Sequence, residues 1–434
     1  MTQTKEAPPA PPPPGPDPAP TGGASRILQL VLALALITAL FVLAGLGDLL
    51  LFIAILIVIV MLHELGHFVT AKRAGMKVTE YFVGFGPRLW SVRRGETEYG
   101  VKAIPAGGYV RITGFTSTED VAAEDEPRAY RNQPFHQRIV VASAGSAMHF
   151  LIAIVLALVV VLTFGTTSNN IAVASLEKWP GVAQTPAAAA GLRAGDVIVS
   201  IDGKTFANPN AMTDIVKRST GKPLVLGVER DGRLLHITAT PQSGKGITVG
   251  GQRLQDRGYL GVSITPASQS VSALGAVPAA FRTLWQVTDQ EVTGIAQTFS
   301  PAGLSAVLHQ DTNSRAAQQV AENPGSAPRP VSIVGIANLG SQAEQAGLYS
   351  VLVLLIAINV VFGILNMLPM IPLDGGHVAV AVYEWARTRR GQPYYRADIT
   401  KLFPVAFLFI AFLSVFVLSG IFLDITHPLQ IPGR

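Results

Sequence analysis

The sequence predicts a polytopic α-helical membrane protein of about five transmembrane helices, with a membrane-associated β-hairpin and one β-rich domain outside the cytoplasm. Three observations predict it. Uncharged stretches recur at membrane length, a glycine-punctuated run of short apolar strands follows the second of them, and strand and turn signals fill the long segment between the third and fourth.

Of 434 residues, 49% are hydrophobic and 14% charged, well under the roughly 25% charged content of soluble chains. The deficit falls in residues 27–45, 49–71, 139–164, 348–368 and 402–423. Each is near the roughly 20 residues that cross a hydrocarbon core. The net charge is +5, and the basic residues are clustered. Lys72, Arg73, Lys77, Arg88, Arg93 and Arg94 follow the second stretch; Arg387, Arg389, Arg390, Arg396 and Lys401 precede the last. Such clusters place both loops in the cytoplasm. The bilayer is therefore a partner, whereas nucleic acid is not, because no basic domain or binding motif is present. There are no cysteines, which excludes disulfides and thiolate nucleophiles or ligands. A transition-metal site must use imidazole and carboxylate, a set that suits zinc, iron or manganese.

Residues 1–25 are proline-rich and read as a disordered or polyproline II tail. Residues 26–47 read as an extra N-terminal transmembrane helix. Val42-Leu43-Ala44 loosely fits a signal-peptide cleavage site, but the preceding region is long and weakly basic, so the span reads as uncleaved. The next stretch then begins outside and ends inside.

That second stretch ends in His63-Glu64-Leu65-Gly66-His67. Two histidines four apart share one helical face and can reach a single tetrahedral zinc. The glutamate between them is placed to take a proton from a zinc-bound water. A helix starting at Leu49 carries His63 about 20 Å along its axis, to membrane depth on the cytoplasmic side. The bland alternative is a helix end with two solvated histidines.

Residues 81–87, 99–104 and 107–112 read as short strands, with Arg93-Arg94-Gly95-Glu96 as a turn. A hairpin dipping toward the membrane is tolerated where protein covers its backbone. Residues 171–245 read as a compact β-rich module, with Asp202-Gly203 a tight turn and 224–229 and 234–239 a hairpin around Asp231-Gly232. Residues 246–345 read as an outer linker. It contains an amphipathic helix over 277–299, with Pro278 in its first turn, lying on the membrane surface or packed on a core, and a polar linker over 308–330. Residues 425–434 form a tail.

Two histidines leave zinc short of a third protein ligand. The fourth stretch ends in Asn366-Met367-Leu368-Pro369-Met370-Ile371-Pro372-Leu373-Asp374-Gly375-Gly376-His377. The prolines break the helix and Gly375-Gly376 permits close backbone approach. Asp374 is an acid in an apolar stretch at the depth assigned to His63 and His67, a functional candidate by default. His377 is the rival ligand, and spacing does not exclude it. Asp374 acting as the cap of a helix over 378–385 is the structural alternative.

His63-Glu64-Leu65-Gly66-His67, the hairpin run from Gly84 to Val110, the segment Gly191 to Gly203 and the Asn366–Gly376 motif together resemble the site-2 protease family of intramembrane zinc metalloproteases. The likeness extends from Leu49 to Leu423 and is greatest to bacterial, particularly actinobacterial, members acting on anti-sigma factors. The resemblance implies zinc held by His63, His67 and Asp374, with Glu64 as base and Asn366 orienting substrate or stabilising the oxyanion. It implies a protease core in two halves, 48–165 and 346–424, in a bacterial plasma membrane, cleaving single-pass membrane proteins. It also implies that 171–245 is a PDZ-like domain outside, which binds an exposed C-terminus or filters out bulky substrates. The chain departs from the family in its third span, Ala144-Gly145-Ser146-Ala147-Met148-His149-Phe150. There His149 takes the place of an asparagine near the active site; His149 and His377 are candidates for a supporting shell. The alternative function is a non-catalytic membrane scaffold bearing a PDZ-like module. A metal transporter would show repeats and further ionisable residues along a path, and neither is evident.

Overall fold

Long apolar stretches free of internal proline set the architecture. In the computed structural model, which describes residues 23–45, 47–116, 119–206, 209–249, 252–323, 326–345, 347–388 and 395–429, the stretches form helices. They are α1 (Gly23–Leu43), α2 (Gly47–Arg73) and α3 (Phe135–Phe164). Four segments are long and apolar enough to cross a membrane among the described residues: Leu49–Arg73, Phe135–Phe164, Leu348–Asn366 and Ile399–Thr426. Nearly all of the expected proline-rich tail, Arg389, Arg390 and residues 430–434 lie outside the described residues.

The chain divides into two compact units, Met1–Ile154 with Trp285–Arg434, and Val155–Leu284. In the first, β1 (Val78–Arg94) and β2 (Thr97–Ile112) pair antiparallel about Gly95-Glu96. Both strands bend, so that Tyr81 lies opposite Val110 and also Tyr99, and Phe82 opposite Tyr109 and also Gly100. The three expected short strands are thus parts of one doubled-back ribbon. It lies against α2, where the Tyr81 hydroxyl donates to the Met61 carbonyl at 2.7 Å.

The second unit holds β3 (Thr166–Leu176), α4 (Pro186–Ala189), β4 (Val197–Ile201), α5 (Pro209–Arg218), β5 (Leu224–Arg230) and β6 (Arg233–Ala239). After them come four two-residue strands, β7 (Gln242–Ser243), β8 (Thr248–Val249), β9 (Gln252–Arg253) and β10 (Gly258–Tyr259), and then β11 (Val262–Gln269). Strand order in the main sheet is β11-β3-β4-β5-β6. Ile171, Val173, Ile198, Leu226 and Val228 form its core, at most 1% exposed. Asp202-Gly203 and Asp231-Gly232 take left-handed φ at both residues, the turn geometry expected of Asp-Gly pairs. The sheet outruns the sequence bound of 245, because β11 pairs with β3 from Val262↔Leu176 to Gln269↔Thr166. A strand that closes a sheet from so far along the chain leaves no local signal.

The segment 246–345, expected as a linker, is mostly helical. It continues as α6 (Ala273–Thr298), α7 (Pro301–Thr312), α8 (Ser314–Glu322) and α9 (Ile333–Gln345). Pro278 lies inside α6, in its sixth place, not in the first turn; the carbonyl it leaves unpaired is that of the exposed Leu274. The polar linker expected over 308–330 is corrected by α7 and α8. Ser300 accepts from the Gly303 N–H, and Asn313 from those of Arg315 and Ala316. These caps start helices that polar composition concealed, and Ala317, Val320 and Ala321 bury one face of α8. After α9 come α10 (Leu348–Asn366), α11 (Asp374–Arg387) and α12 (Phe403–Thr426).

In the second unit Asp196, 1% exposed, accepts from Arg230 Nε at 2.6 Å and Nη2 at 2.7 Å, and from the Arg193 N–H at 2.8 Å. Burial pushes this carboxyl upward, but the Arg230 guanidinium outweighs it and holds it below its ordinary range. A folded-state value below the unfolded one gives stability that is present above about pH 4 and lost as pH falls further. Asp196→Asn is therefore expected to speed amide hydrogen exchange in β4 and β5 at pH 7. The gap from the parent protein should narrow below about pH 4; equal exchange rates at pH 7 would contradict this.

Candidate metal centre

His63 falls 16 residues after Gly47, roughly 24 Å along α2, and both it and His67 are buried, 8% and 5% exposed. The i, i+4 spacing brings their Nε2 atoms to 3.3 Å. The third corner comes from 300 residues further on in the sequence. α10 ends at Asn366, and Pro369 and Pro372 keep the chain from continuing as helix. The chain turns through hydrogen bonds from Leu373 N to the Met370 carbonyl and from Gly376 N to the Leu373 carbonyl. A Cβ at Gly375 would collide with the backbone of Met367 and Leu368, and one at Gly376 would lie 2.7 Å from Ile371 N. The glycine pair thus lets α11 start against the turn that precedes it. Asp374 is the first residue of α11, with Leu373 in the cap position. Asp374 Oδ2 lies 3.4 Å from His63 Nε2 and 3.3 Å from His67 Nε2.

These three atoms fit a metal ion and are hard to account for without one. His67 Nδ1 lies 2.7 Å from the Val141 carbonyl; a carbonyl only accepts, so Nδ1 carries the proton and Nε2 presents a lone pair in the neutral ring. Asp374 Oδ2 is buried with no hydrogen-bond partner. In the neutral ring His67 Nε2 and Asp374 Oδ2 thus face one another as two acceptors at 3.3 Å, an opposition that a cation between them relieves. Ligands about 2.0–2.1 Å from a tetrahedral zinc stand about 3.3–3.4 Å apart. Two imidazoles and one carboxylate form a catalytic type of zinc set, open at the fourth position.

The surroundings are shaped to this group. Gly145 on α3 faces it: a Cβ there would lie 2.6 Å from His63 Nε2 and closer still to His67 Nε2. A Cβ at Gly66 would lie 2.5 Å from the Ala144 carbonyl oxygen, so α2 and α3 approach at small residues, as membrane helices do. Glu64 Oε2 accepts from the Val110 N–H of β2 at 3.0 Å.

His149 is 1% exposed, its ring centroid 4.9 Å from that of His63. Its Nδ1 lies 3.1 Å from Asn359 Oδ1. Asn359 spends its Nδ2 on the Leu355 carbonyl, so Oδ1 accepts and His149 donates. His377 is not part of the triangle. It lies one turn beyond Asp374, its ring centroid 4.2 Å from that of Phe115 and tilted by 41° to it, and lines a cavity of about 360 Å³. Asn366 is half-buried at the end of α10. Val101 lies opposite both Val83 and Trp90, so this part of β2 is no free edge for an incoming strand.

Sequence reasoning missed Gly145, Asn359 and Val110. Asn359 is an amide in a membrane-length apolar run and had that signal. Gly145 and the Val110 N–H act through backbone placement and had none. Gly145→Ala is expected to weaken zinc retention about 10–100-fold, the range for shells supporting a metal, with helix content unchanged by circular dichroism. Undiminished zinc by elemental analysis would contradict the close approach.

Residues 51–411 match Peptidase family M50. Zinc metalloprotease Rip1 of Mycolicibacterium smegmatis is 32% identical over 415 residues, covering 89% of this chain and 99% of the relative. Zinc metalloprotease Rip1 of Mycobacterium tuberculosis is 32% identical over 411 residues, with 88% and 98% covered. Metalloprotease MmpA of Caulobacter vibrioides is 29% identical over 369 residues, with 76% and 84% covered. A match over most of the length, joined to a His, His, Asp triangle beside a glutamate, makes this chain a member of peptidase family M50, the membrane zinc metalloproteases of the site-2 type.

Proposed function

We propose that this zinc metalloprotease hydrolyses peptide bonds inside the transmembrane segments of single-pass proteins in a bacterial plasma membrane, as a step of regulated intramembrane proteolysis. The observation that carries the reading is the His63, His67, Asp374 triangle, with both histidines partway along the membrane-length segment Leu49–Arg73 and Asp374 just beyond the end of another, Leu348–Asn366. The basic clusters after α2 and before α12 support an active site toward the cytoplasmic side. Anti-sigma factors already trimmed by another protease, and signal-peptide remnants, are the substrates that the resemblance to the site-2 protease family suggests.

His63 and His67 through Nε2, and Asp374 through Oδ2, would hold the zinc. When bound, it would supply Lewis-acid chemistry, acidifying water and polarising the scissile carbonyl. Glu64 is the general base. The Val110 N–H fixes Oε2 and leaves Oε1 to take the water proton and deliver it to the leaving amine. The Val141 carbonyl keeps His67 in the tautomer that offers Nε2, and Asn359 does the same for His149. His149 and His377 support the site from beside it, and Asn366 contacts the substrate backbone or the developing oxyanion. Because a substrate helix hides its backbone in internal hydrogen bonds, it must unwind before its carbonyl reaches this group.

The five-stranded sheet with α4 and α5 is read as a PDZ-like module outside the cytoplasm that filters substrates by size. Deleting residues 166–269, the whole sheet, is then expected to release cleavage of untrimmed substrates; weakened cleavage would instead indicate docking.

Glu64→Gln is expected to lower cleavage of a single-pass substrate about 10²–10⁴-fold, the range for a general base, while zinc is retained. Membrane proteomics should then show accumulated single-pass fragments. A variant that cleaves normally would contradict Glu64 as the base, whereas a parent protein that cleaves nothing, in a cell that loses no function with the variant, would support the scaffold reading instead.

A further inference from the structure

Asp374 reaches the histidines from a different helix, so something must hold α11 in place. The side of α11 beyond His377 borders the cavity of about 360 Å³, whose walls include Phe115, Tyr130, Arg138, His377 and Glu384. A cavity supplies no packing to fix a separation. At its wall Arg138 Nη1 donates to Glu384 Oε2 at 2.6 Å, both side chains at most 6% exposed. Arg138 lies on α3 seven residues before Gly145, and Glu384 on α11 ten residues after Asp374. The pair therefore joins the two helices roughly 10–15 Å from the triangle, at 1.5 Å per residue.

Glu384 is used twice. Its Oε1 accepts from the Ala397 N–H at 2.8 Å, in the segment leading to α12. Next to it Arg396 donates to the Arg131 carbonyl and to Asn132 Oδ1, each at 2.5 Å. The Arg138 guanidinium lies 5.2 Å from the Tyr130 ring centroid, and the Tyr130 hydroxyl donates to the Arg138 carbonyl at 3.2 Å. One carboxylate thus fastens α3, α11 and the approach to α12.

We propose that the Arg138–Glu384 ion pair is a positioning pair for the metal centre: by tying α11 to α3 across the cavity it sets Asp374 against His63 and His67, and so sets zinc affinity. The inference rests on Asp374 being a ligand. A buried ion pair is not needed for stability as such, since apolar replacements often serve equally well. Its retention here is explained by the geometry it imposes. Arg138 is suited to that task by its planar, directional donors, which lysine lacks.

The test uses the full-length chain in detergent and competes zinc against a chelator of known affinity. Glu384→Gln and Arg138→Lys are each expected to weaken zinc binding about 10–100-fold. Cleavage should fall at limiting zinc and recover as zinc is raised. The reversed pair, Arg138→Glu with Glu384→Arg, should regain part of the affinity. If one single variant fails to fold, the other carries the test. Parent-like zinc affinity in the folded variants, with only the unfolding temperature of the zinc-stripped protein lowered, would overturn the proposal and leave the pair merely structural. Asp374→Asn separates the two layers: if it too keeps parent-like affinity, the ligand assignment fails and this inference falls with it.

Discussion

Three candidate ligand atoms held 3.3–3.4 Å apart on two separate stretches of chain constrain most of the first unit. Two of them come cheaply, because four residues of α-helix place His63 and His67 on one face. The third does not. It requires α10 to stop, the chain to turn within seven residues, and α11 to start with its first carboxylate aimed back at α2. Pro369, Pro372, Gly375 and Gly376 meet those requirements in turn.

The same constraint explains the small residues on α3. Gly66 and Gly145 allow that helix close enough for the Val141 carbonyl to fix the His67 tautomer, with no side chain entering the group from that side. Buried polar atoms in apolar helices are costly unless paired. Two of the rings near the group are paired through Nδ1, His67 with the Val141 carbonyl and His149 with Asn359 Oδ1, which leaves Nε2 of each as the acceptor in the neutral ring. The ribbon formed by β1 and β2 adds the last element by giving Glu64 a backbone donor, so that the proposed base is oriented by secondary structure.

Much of this was legible in the sequence, and what was hidden has physical reasons. The four described helices long and apolar enough to cross a membrane follow from composition alone, and the His63, Glu64, His67 set follows from helical spacing. The setting of Asp374 favours it over His377, and its carboxylate lies 3.3–3.4 Å from both imidazoles while the His377 ring packs at a tilt against Phe115. The doubled pairing of β1 with β2 was not legible, since alternate strand partners leave the same pattern of apolar residues. Neither was α8, whose short polar sequence conceals a buried Ala317–Val320–Ala321 face. β11 closes its sheet by pairing with a strand some ninety residues back, as Val262↔Leu176 shows. Arg138 and Glu384 are 246 residues apart, and nothing local marks either as a partner.

The central claim is that one zinc ion is bound by two imidazoles and a single carboxylate, with no sulfur. X-ray absorption at the zinc edge of the purified chain tests it most directly. The account predicts one zinc per chain, with a first shell of only nitrogen and oxygen at about 2.0–2.1 Å and outer-shell scattering from two imidazoles. A protein without stoichiometric zinc, or a spectrum showing one imidazole or none, would contradict it.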